Sequence, residues 1–379
     1  MAGQATDGIR RAGSVAWAFV GLSVAVAIIA WLAWKVAVIF PPLILAGAIV
    51  FILNPFITML QRRGIPRLAG VAMTYLGFLA VAVIIGLVMY PAVHDQAENL
   101  ADRWPAIRTK MERWVDDRAN SLKGTPFEFD RQRVTDAFSN TDVSVRDQID
   151  RVAEVGVKVF HVLLVIILTP IFAFYLLVDL PHLKQVAEGL IPLGARAEVL
   201  VLGRRMNAAV GGFFRGQLVV ALIVGVLASV GLFVIGLPFW LLIGMVAGFF
   251  NMIPLVGPYI GGIPALVIAL TTREPITAVW VVVVMVAVQQ IDNHFISPLV
   301  MHRVVKLHPV LVMLALLLGG TLGGFFGLLV AVPTAAILKI LVGHLWRVHV
   351  LGEPIERYAE YAEAEDSAPT PGGIVREVV

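Results

Sequence analysis

The chain has 379 residues, 59% of them hydrophobic and only 15% charged, with a mean hydropathy of +0.88. Soluble domains carry about 45–50% apolar and about 25% charged residues, so this composition excludes a soluble enzyme, a nucleic-acid-binding module and a disordered scaffold, and fits a multi-span helical membrane protein. The net charge of +3 is not gathered into a basic block that would track phosphates, so no nucleic-acid partner is expected, and the absence of cysteine excludes disulfides, thiolate metal sites and a thiol nucleophile.

Arg10 and Arg11 precede an apolar run from Val15 to about Phe40. The run is too long for a signal-peptide core and is read as a retained first span, ended by Pro41-Pro42. A second run, Leu43 to Leu60, leads into Gln61-Arg62-Arg63-Gly64-Ile65-Pro66-Arg67, and a third covers Leu68 to Tyr90. The positive-inside rule puts Arg10, Arg11 and the 61–67 loop in the cytoplasm, and the two placements agree because two spans separate them. Residues 1–90 are therefore expected to form three transmembrane helices acting as scaffold.

Residues 91–150 hold 21 of the chain's 55 charges and form the one segment that reads as soluble. Leu100, Trp104, Ile107, Met111 and Trp114 make one amphipathic stripe, and Val145, Ile149, Val152 and Val159 a second. Parity places this insert, 91–152, on the outer face as a solvated helical cap. In 153–208, a fourth span from about Val155 to Val178, with a kink expected at Pro170, precedes an amphipathic segment over Asp179–Asn207. Its Lys184, Arg196, Arg204 and Arg205 would face anionic headgroups from a helix lying in the cytoplasmic interface.

From Val210 to Leu270 the chain is almost continuously apolar; as one helix it would measure about 90 Å against a hydrocarbon core of about 30 Å, so it must fold back. Gly236-Leu237-Pro238 is the first expected break and the Pro/Gly-rich stretch 254–264 the second. After a span at Val279–Ile296, a run opened by Leu307-His308-Pro309 continues to about Val342, broken by five glycines between Gly319 and Gly327. The two regions repeat one plan: apolar helix, Gly-rich break, then a helix begun by proline at Pro264 or Pro333. Interrupted apolar segments in corresponding positions point to a transporter's binding site, because half-helix ends expose backbone dipoles where water is scarce. If both are re-entrant, one enters from outside and the other from inside; if each crosses once with a kink, there are eight spans.

The fold class expected is thus all-α, a polytopic integral membrane protein with about 6–8 membrane segments and two broken or re-entrant helical hairpins in a C-terminal inverted-repeat-like half. That half, 209–346, carries transport, and 347–379 is a mobile cytoplasmic tail, putting both termini in the cytoplasm. Polar residues are scarce in the transport half. Arg215 and Gln217 lie near the start of a span, Asn251 precedes a break, and Gln289, Gln290, Asp292, Asn293 and His294 cluster at the end of another span. An intramembrane aspartate costs about 2.5–3.5 kcal/mol and marks ion or proton paths, unless Asp292 sits at an interface and pairs with Arg303 or Lys306. The residues expected along the path are Arg215, Gln217, Asn251, Pro254, Gly257, Pro258, Gln290, Asp292, Asn293, Gly323, Gly324, Gly327 and Pro333. No P-loop, zinc cluster or nucleophile triad is present, which argues against an ATP-driven pump, an intramembrane protease or any other enzyme, and no cofactor is expected.

Phe214-Arg215-Gly216-Gln217, the run Asn251 to Pro258, Asp292-Asn293-His294-Phe295-Ile296-Ser297-Pro298, and His308-Pro309 followed by the 319–327 glycines and Ala331-Val332-Pro333 together resemble the AI-2E family of bacterial transporters, also described as PerM-like permeases. The resemblance covers nearly the whole chain. It implies an inner-membrane homo-oligomer, with export of the quorum-sensing molecule autoinducer-2 for some members and Na⁺(Li⁺)/H⁺ antiport for others. The leading expectation is a secondary transporter moving a small polar solute or ion outward; the reading of another class is a non-transporting scaffold that binds a partner through the insert.

Overall fold

The computed structural model describes residues 39–122, 147–254, 256–272, 275–301 and 307–352. The expected first span up to Val38, Arg10 and Arg11, residues 123–146 of the insert, Arg303, Lys306 and the tail from 353 lie outside them. Every regular element among the described residues is helical, and six helices are long and apolar enough to cross a membrane.

Helix α1 (Phe40–Arg62) begins on Pro41 and Pro42, where a missing N–H costs nothing because first-turn donors have no helical partner. It ends at Gly64, whose φ of +85° suits the position after a helix C-cap. The turn hands over to α2 (Arg67–Leu122), 56 residues long and about 84 Å if straight, far more than a bilayer core. The composition shift at Pro91 therefore does not mark a break. Pro91 and Pro105 each forfeit one backbone donor, but the residues around them continue the helix. Of the expected stripe, Ile107 and Met111 are buried and Leu100 packs on the core; Trp104 and Trp114 are exposed at its edges, and Val115 and Ala119 carry it onward.

Helix α3 (Asp147–Gly189) and α4 (Arg196–Val234) meet at a short turn containing Pro192 and the 3₁₀ turn Leu193–Ala195. The interfacial helix expected over 179–207 is not a separate element. No breaker follows Arg196 until Gly236, so the segment divides into the end of α3 and the start of α4. Arg67 ties the first three helices together. Its Nε donates to Leu177 O at 2.7 Å on α3, Nη1 to Gln61 Oε1 at 2.9 Å and Nη2 to Asn54 Oδ1 at 3.3 Å on α1. Hydrogen bonds from a charged group contribute about 1.5–3 kcal/mol. Arg67→Ala is therefore expected to lower the melting temperature of the purified protein by several degrees, read by intrinsic fluorescence in detergent, whereas Arg63→Ala, on the exposed turn, is expected to leave it unchanged.

The second half is built on α4, 39 residues long. It stops where the sequence places the first break: Gly236 and Phe239 have φ of +69° and +63°. Helix α5 (Trp240–Phe250) then runs back along α4 so closely that a Cβ on Gly244 would lie 2.7 Å from the backbone of Ser229, and one on Gly248 2.8 Å from Gly225 Cα. The second break falls between Phe250 and Gly257 rather than across 254–264. Helix α6 (Gly257–Thr272) starts on Gly257 and absorbs Pro258 in its first turn and Pro264 in its interior. It returns along α5, with Gly261 against Ala247. Helices α5 and α6 thus form one hairpin. Helix α7 (Pro275–Ile291) continues through a π turn (Asp292–Ile296) into α8 (Ser297–Met301).

Helix α9 (Pro309–His344) contains one non-helical residue, Gly324, at φ 55° and ψ −136°, a region essentially reserved for glycine. The chain reverses there: a Cβ on Gly319 would lie 2.5 Å from Gly327 O and 2.9 Å from Ala331 Cβ. Residues eight and twelve apart on a straight helix would be about 12 and 18 Å apart. This run is therefore a second hairpin, with arms 309–323 and 325–344, and not a single kinked rod.

The two hairpins approach α4 from opposite ends. The first leaves the C-terminal end of α4, while His344 at the base of the second pairs with Glu198 at the N-terminal end. Among the described residues four apolar cores hold the assembly, the smallest gathering Val220 and Val224 of α4 with Val288 of α7 and Ile296 of the π turn. One joins α1, α2 and α3 around Ile57, Val71, Ala173 and Leu177. Another joins the C-terminal half of α2 to α4–α7 around Ile107, Leu232, Ile243, Ile268 and Val281. The third joins α1, α4, the first hairpin's tip and the second hairpin around Phe213, Phe214, Ile253, Leu316 and Val332.

Candidate functional site

Helix α5 has 11 residues and descends about 16 Å, half of a hydrocarbon core, before stopping at Asn251. The last carbonyls of such a helix need partners. Gln217, 4% exposed on α4, supplies one: its Nε2 donates to Asn251 O at 2.5 Å. Asn251 is 1% exposed, and its Nδ2 has no well-aligned acceptor among the described residues. Its side chain lies against the carboxylate of Asp292, 6% exposed, which accepts from Ser297 Oγ at 2.8 Å. Gly257 completes the floor, since a Cβ there would lie 2.6 Å from Asn251 Cβ and 2.5 Å from Ala247 O. Pro258 is buried beside it, and Pro254 is half-buried in the break itself.

The π turn accounts for Asp292. Pro298 lacks an N–H and crowds the carbonyl four residues back, so an α-helix through this point would be strained. The wider turn, in which Ser297 N bonds Asp292 O, accommodates it and turns Asp292 inward. Such π bulges occur frequently at functional sites. Among the described residues no cationic side chain pairs with Asp292. This cluster therefore offers one carboxylate, the amide of Asn251, a hydroxyl and the broken backbone of a half-helix, within protein and out of water. These are groups that bind a polar solute, a proton or a small cation.

The other expected residues are placed elsewhere. Arg215, two residues before Gln217 and on another face of α4, is exposed, and its Nη1 donates to Phe51 O of α1 at 3.1 Å. Gln290 is exposed, with its carbonyl bonded to His294 Nδ1; Asn293 is exposed and accepts from Gln289 Nε2 at 2.8 Å. Gly323 and Gly324 sit exposed at the tip of the second hairpin, Gly327 packs on Gly319 below it, and Pro333 is buried within the second arm. Asp292, Asn251, Gln217, Gly257 and Pro258 come together; Arg215, Gln290 and Asn293 do not join them.

Sequence reasoning passed over several residues that matter here. Gln96, far along α2, accepts from Leu241 N and Leu242 N at 3.2 and 3.4 Å and so caps α5, which has no cap of its own. Lys110, one helical stretch further, donates to Thr271 O at 3.1 Å at the end of α6. Phe249, Phe250 and Phe325 bring the two hairpin tips into contact. A sequence signal existed for the last group: a Phe-Phe pair borders each break, 249–250 and 325–326.

A sequence profile described as the AI-2E family transporter matches residues 22–347. The chain belongs to this family. AI-2E relatives include YrrI of Bacillus subtilis (strain 168), provisionally named a transport protein, 32% identical over 84% of this chain and 89% of its own length. YueF of the same organism, similarly named, is 29% identical over 80% of this chain and 83% of its own. PerM of Escherichia coli (strain K12), provisionally named a permease, is 23% identical over 80% of this chain and 86% of its own. Family and helices together make this a multi-pass membrane protein of a transporter family.

Proposed function

We propose that this AI-2E protein is a secondary transporter of the bacterial inner membrane that exports a small polar solute of the autoinducer-2 kind. The observation that carries this reading is the buried Gln217–Asn251–Asp292 cluster at the point where α5 stops half-way through its bundle. Asp292 and Asn251 take the cargo or its coupling ion, and the second lone pairs of carbonyls at the end of α5 supply the remaining dipoles. The region 209–346 carries transport, while the three N-terminal spans of residues 1–90 and the insert stay as scaffold and subunit contacts in a homo-oligomer with both termini cytoplasmic. Arg215, bonded to α1, anchors the transport half to the scaffold.

A second reading is supported by the cluster having one carboxylate and no cationic partner among the described residues: a single acid of this kind exchanges a proton for an alkali cation. Everted vesicles separate the two. Accumulation of labelled autoinducer-2 without a Na⁺-dependent ΔpH signal is the result expected for export, and a Na⁺- or Li⁺-dependent ΔpH signal without accumulation would replace that reading by cation/proton exchange. If neither occurs in proteoliposomes while deletion of 91–150 abolishes the cellular phenotype, the scaffold reading takes over.

A further inference from the structure

The second hairpin shares an apolar cluster with the break that borders the polar site. The break residues Met252, Ile253 and Val256 belong to it together with Phe325, Leu328, Leu329 and Val332 of the second arm. At the tip, the Phe325 ring lies parallel to Phe249 (5° between planes, centroids 6.4 Å apart) and edge-on to Phe250 (84°, 6.1 Å). Both partners immediately precede Asn251 in the chain, so the rings that hold the tip flank the site itself.

The two hairpins are not held equally. The first is locked: backbone meets backbone at Gly225–Gly248 and Ser229–Gly244, and Gln96 and Lys110 cap its two ends from α2. The second is fastened at its base by the partly buried His344–Glu198 pair and held near its tip by apolar and aromatic contacts. Its first arm is largely exposed, from Val310 to Leu318. Apolar contacts can separate without leaving a polar group unpaired, whereas the first hairpin's caps cannot.

We propose that the second hairpin is the gate over the transport site and that Phe325 is its gating residue. The base at His344–Glu198 is the pivot. Closed, the Phe325 contacts help keep Asn251, Ile253 and Asp292 buried; swung away, the tip admits water and cargo to them. Apolar constrictions of this sort gate by excluding water. The proposal rests on the transport reading for its meaning, but its test does not use transport as the first readout.

The native lack of cysteine makes the test direct. Met252→Cys in the full-length protein, in proteoliposomes, reports access to the break through its rate of reaction with a membrane-impermeant maleimide. Ala228→Cys, in the locked core and fully buried, is the control. Adding Phe325→Ala is expected to raise the Met252→Cys rate about tenfold, as loss of two aromatic contacts shifts a closed-to-open balance, with Ala228→Cys unchanged and Phe325→Leu restoring slow labelling. An unchanged Met252→Cys rate overturns the gate. Should Phe325→Ala open both reporters through misfolding, the paired variant Phe250→Cys/Phe325→Cys decides. A short bis-methanethiosulfonate bridge between the tips is expected to suppress Asn251→Cys labelling, and transport where measurable, until reduction releases it. Full access or full transport in the bridged protein overturns the proposal. Altered labelling with no cargo moved would fault the transport reading and leave the gate standing.

Discussion

Asp292→Asn is expected to reduce coupled transport roughly tenfold to a hundredfold while leaving the protein as stable as its parent or more so. Asparagine matches aspartate in shape, so it still accepts from Ser297 Oγ and fits beside Asn251. What disappears is the charge, and a contact that depends on charge is worth about 1.5–3 kcal/mol. Stability should move the other way, because a buried carboxylate without a cationic partner is costly to desolvate and its neutral isostere is not. Initial rates in proteoliposomes and melting curves in detergent, taken on the same preparation, check both signs. Parental rates with Asp292→Asn would remove this residue from the pathway. Ser297→Ala, which removes the hydroxyl donor but keeps the charge, is expected to have a smaller effect.

Gly248→Leu is expected to have the largest effect on stability, with loss of monodisperse protein. Even the first carbon would sit 2.8 Å from Gly225 Cα and 2.9 Å from Ala221 O, and both are main-chain atoms of α4 that no rotamer change can move aside. Overpacking in a well-filled interior costs about 1–3 kcal/mol and occasionally more, and here the two helices must separate along their length. Gly244→Leu should behave alike, for it faces the backbone of Ser229. Gly77→Ala is the contrast: nothing lies within 4 Å of its would-be side chain on the exposed stretch of α2, and it is expected to be neutral or slightly stabilising. Fluorescence-detected size exclusion after a temperature ramp ranks the three. Equal melting of Gly248→Leu and the parent would mean that α4 and α5 are not in backbone contact.

Much of the architecture was legible because glycine and proline act through the backbone they sit in. Gly236 ends α4 where its freedom at positive φ predicts, and a largely apolar run of 61 residues had to fold back whatever its packing. The same chain-local logic misplaced the second break, because Pro258 in a first turn costs nothing and Pro264 costs only one donor. Five glycines between 319 and 327 marked a break without choosing Gly324, since any of them tolerates its dihedrals; the choice comes from the fit of Gly319 on Gly327. Nor could sequence show that Pro91 fails to end α2. Within the site, polar residues in an apolar background gave Gln217, Asn251 and Asp292. It did not separate them from Gln290 and Asn293, because the π turn at 292–296 changes which residues share a face.

The long α2 also works as a ruler. Gln96 stands about 44 Å along it from Arg67, and its carbonyl fixes where α5 begins. Deleting a single residue between Leu76 and Val88, all exposed on an isolated subunit, would shorten the rod by only about 1.5 Å but rotate everything beyond it by about 100°. Gln96 would then point away from its two amides, and the depth at which the first hairpin stops would lose its reference. An exposed stretch with no tertiary neighbours of its own is thereby held to an exact count of residues, even where the choice of residue is free.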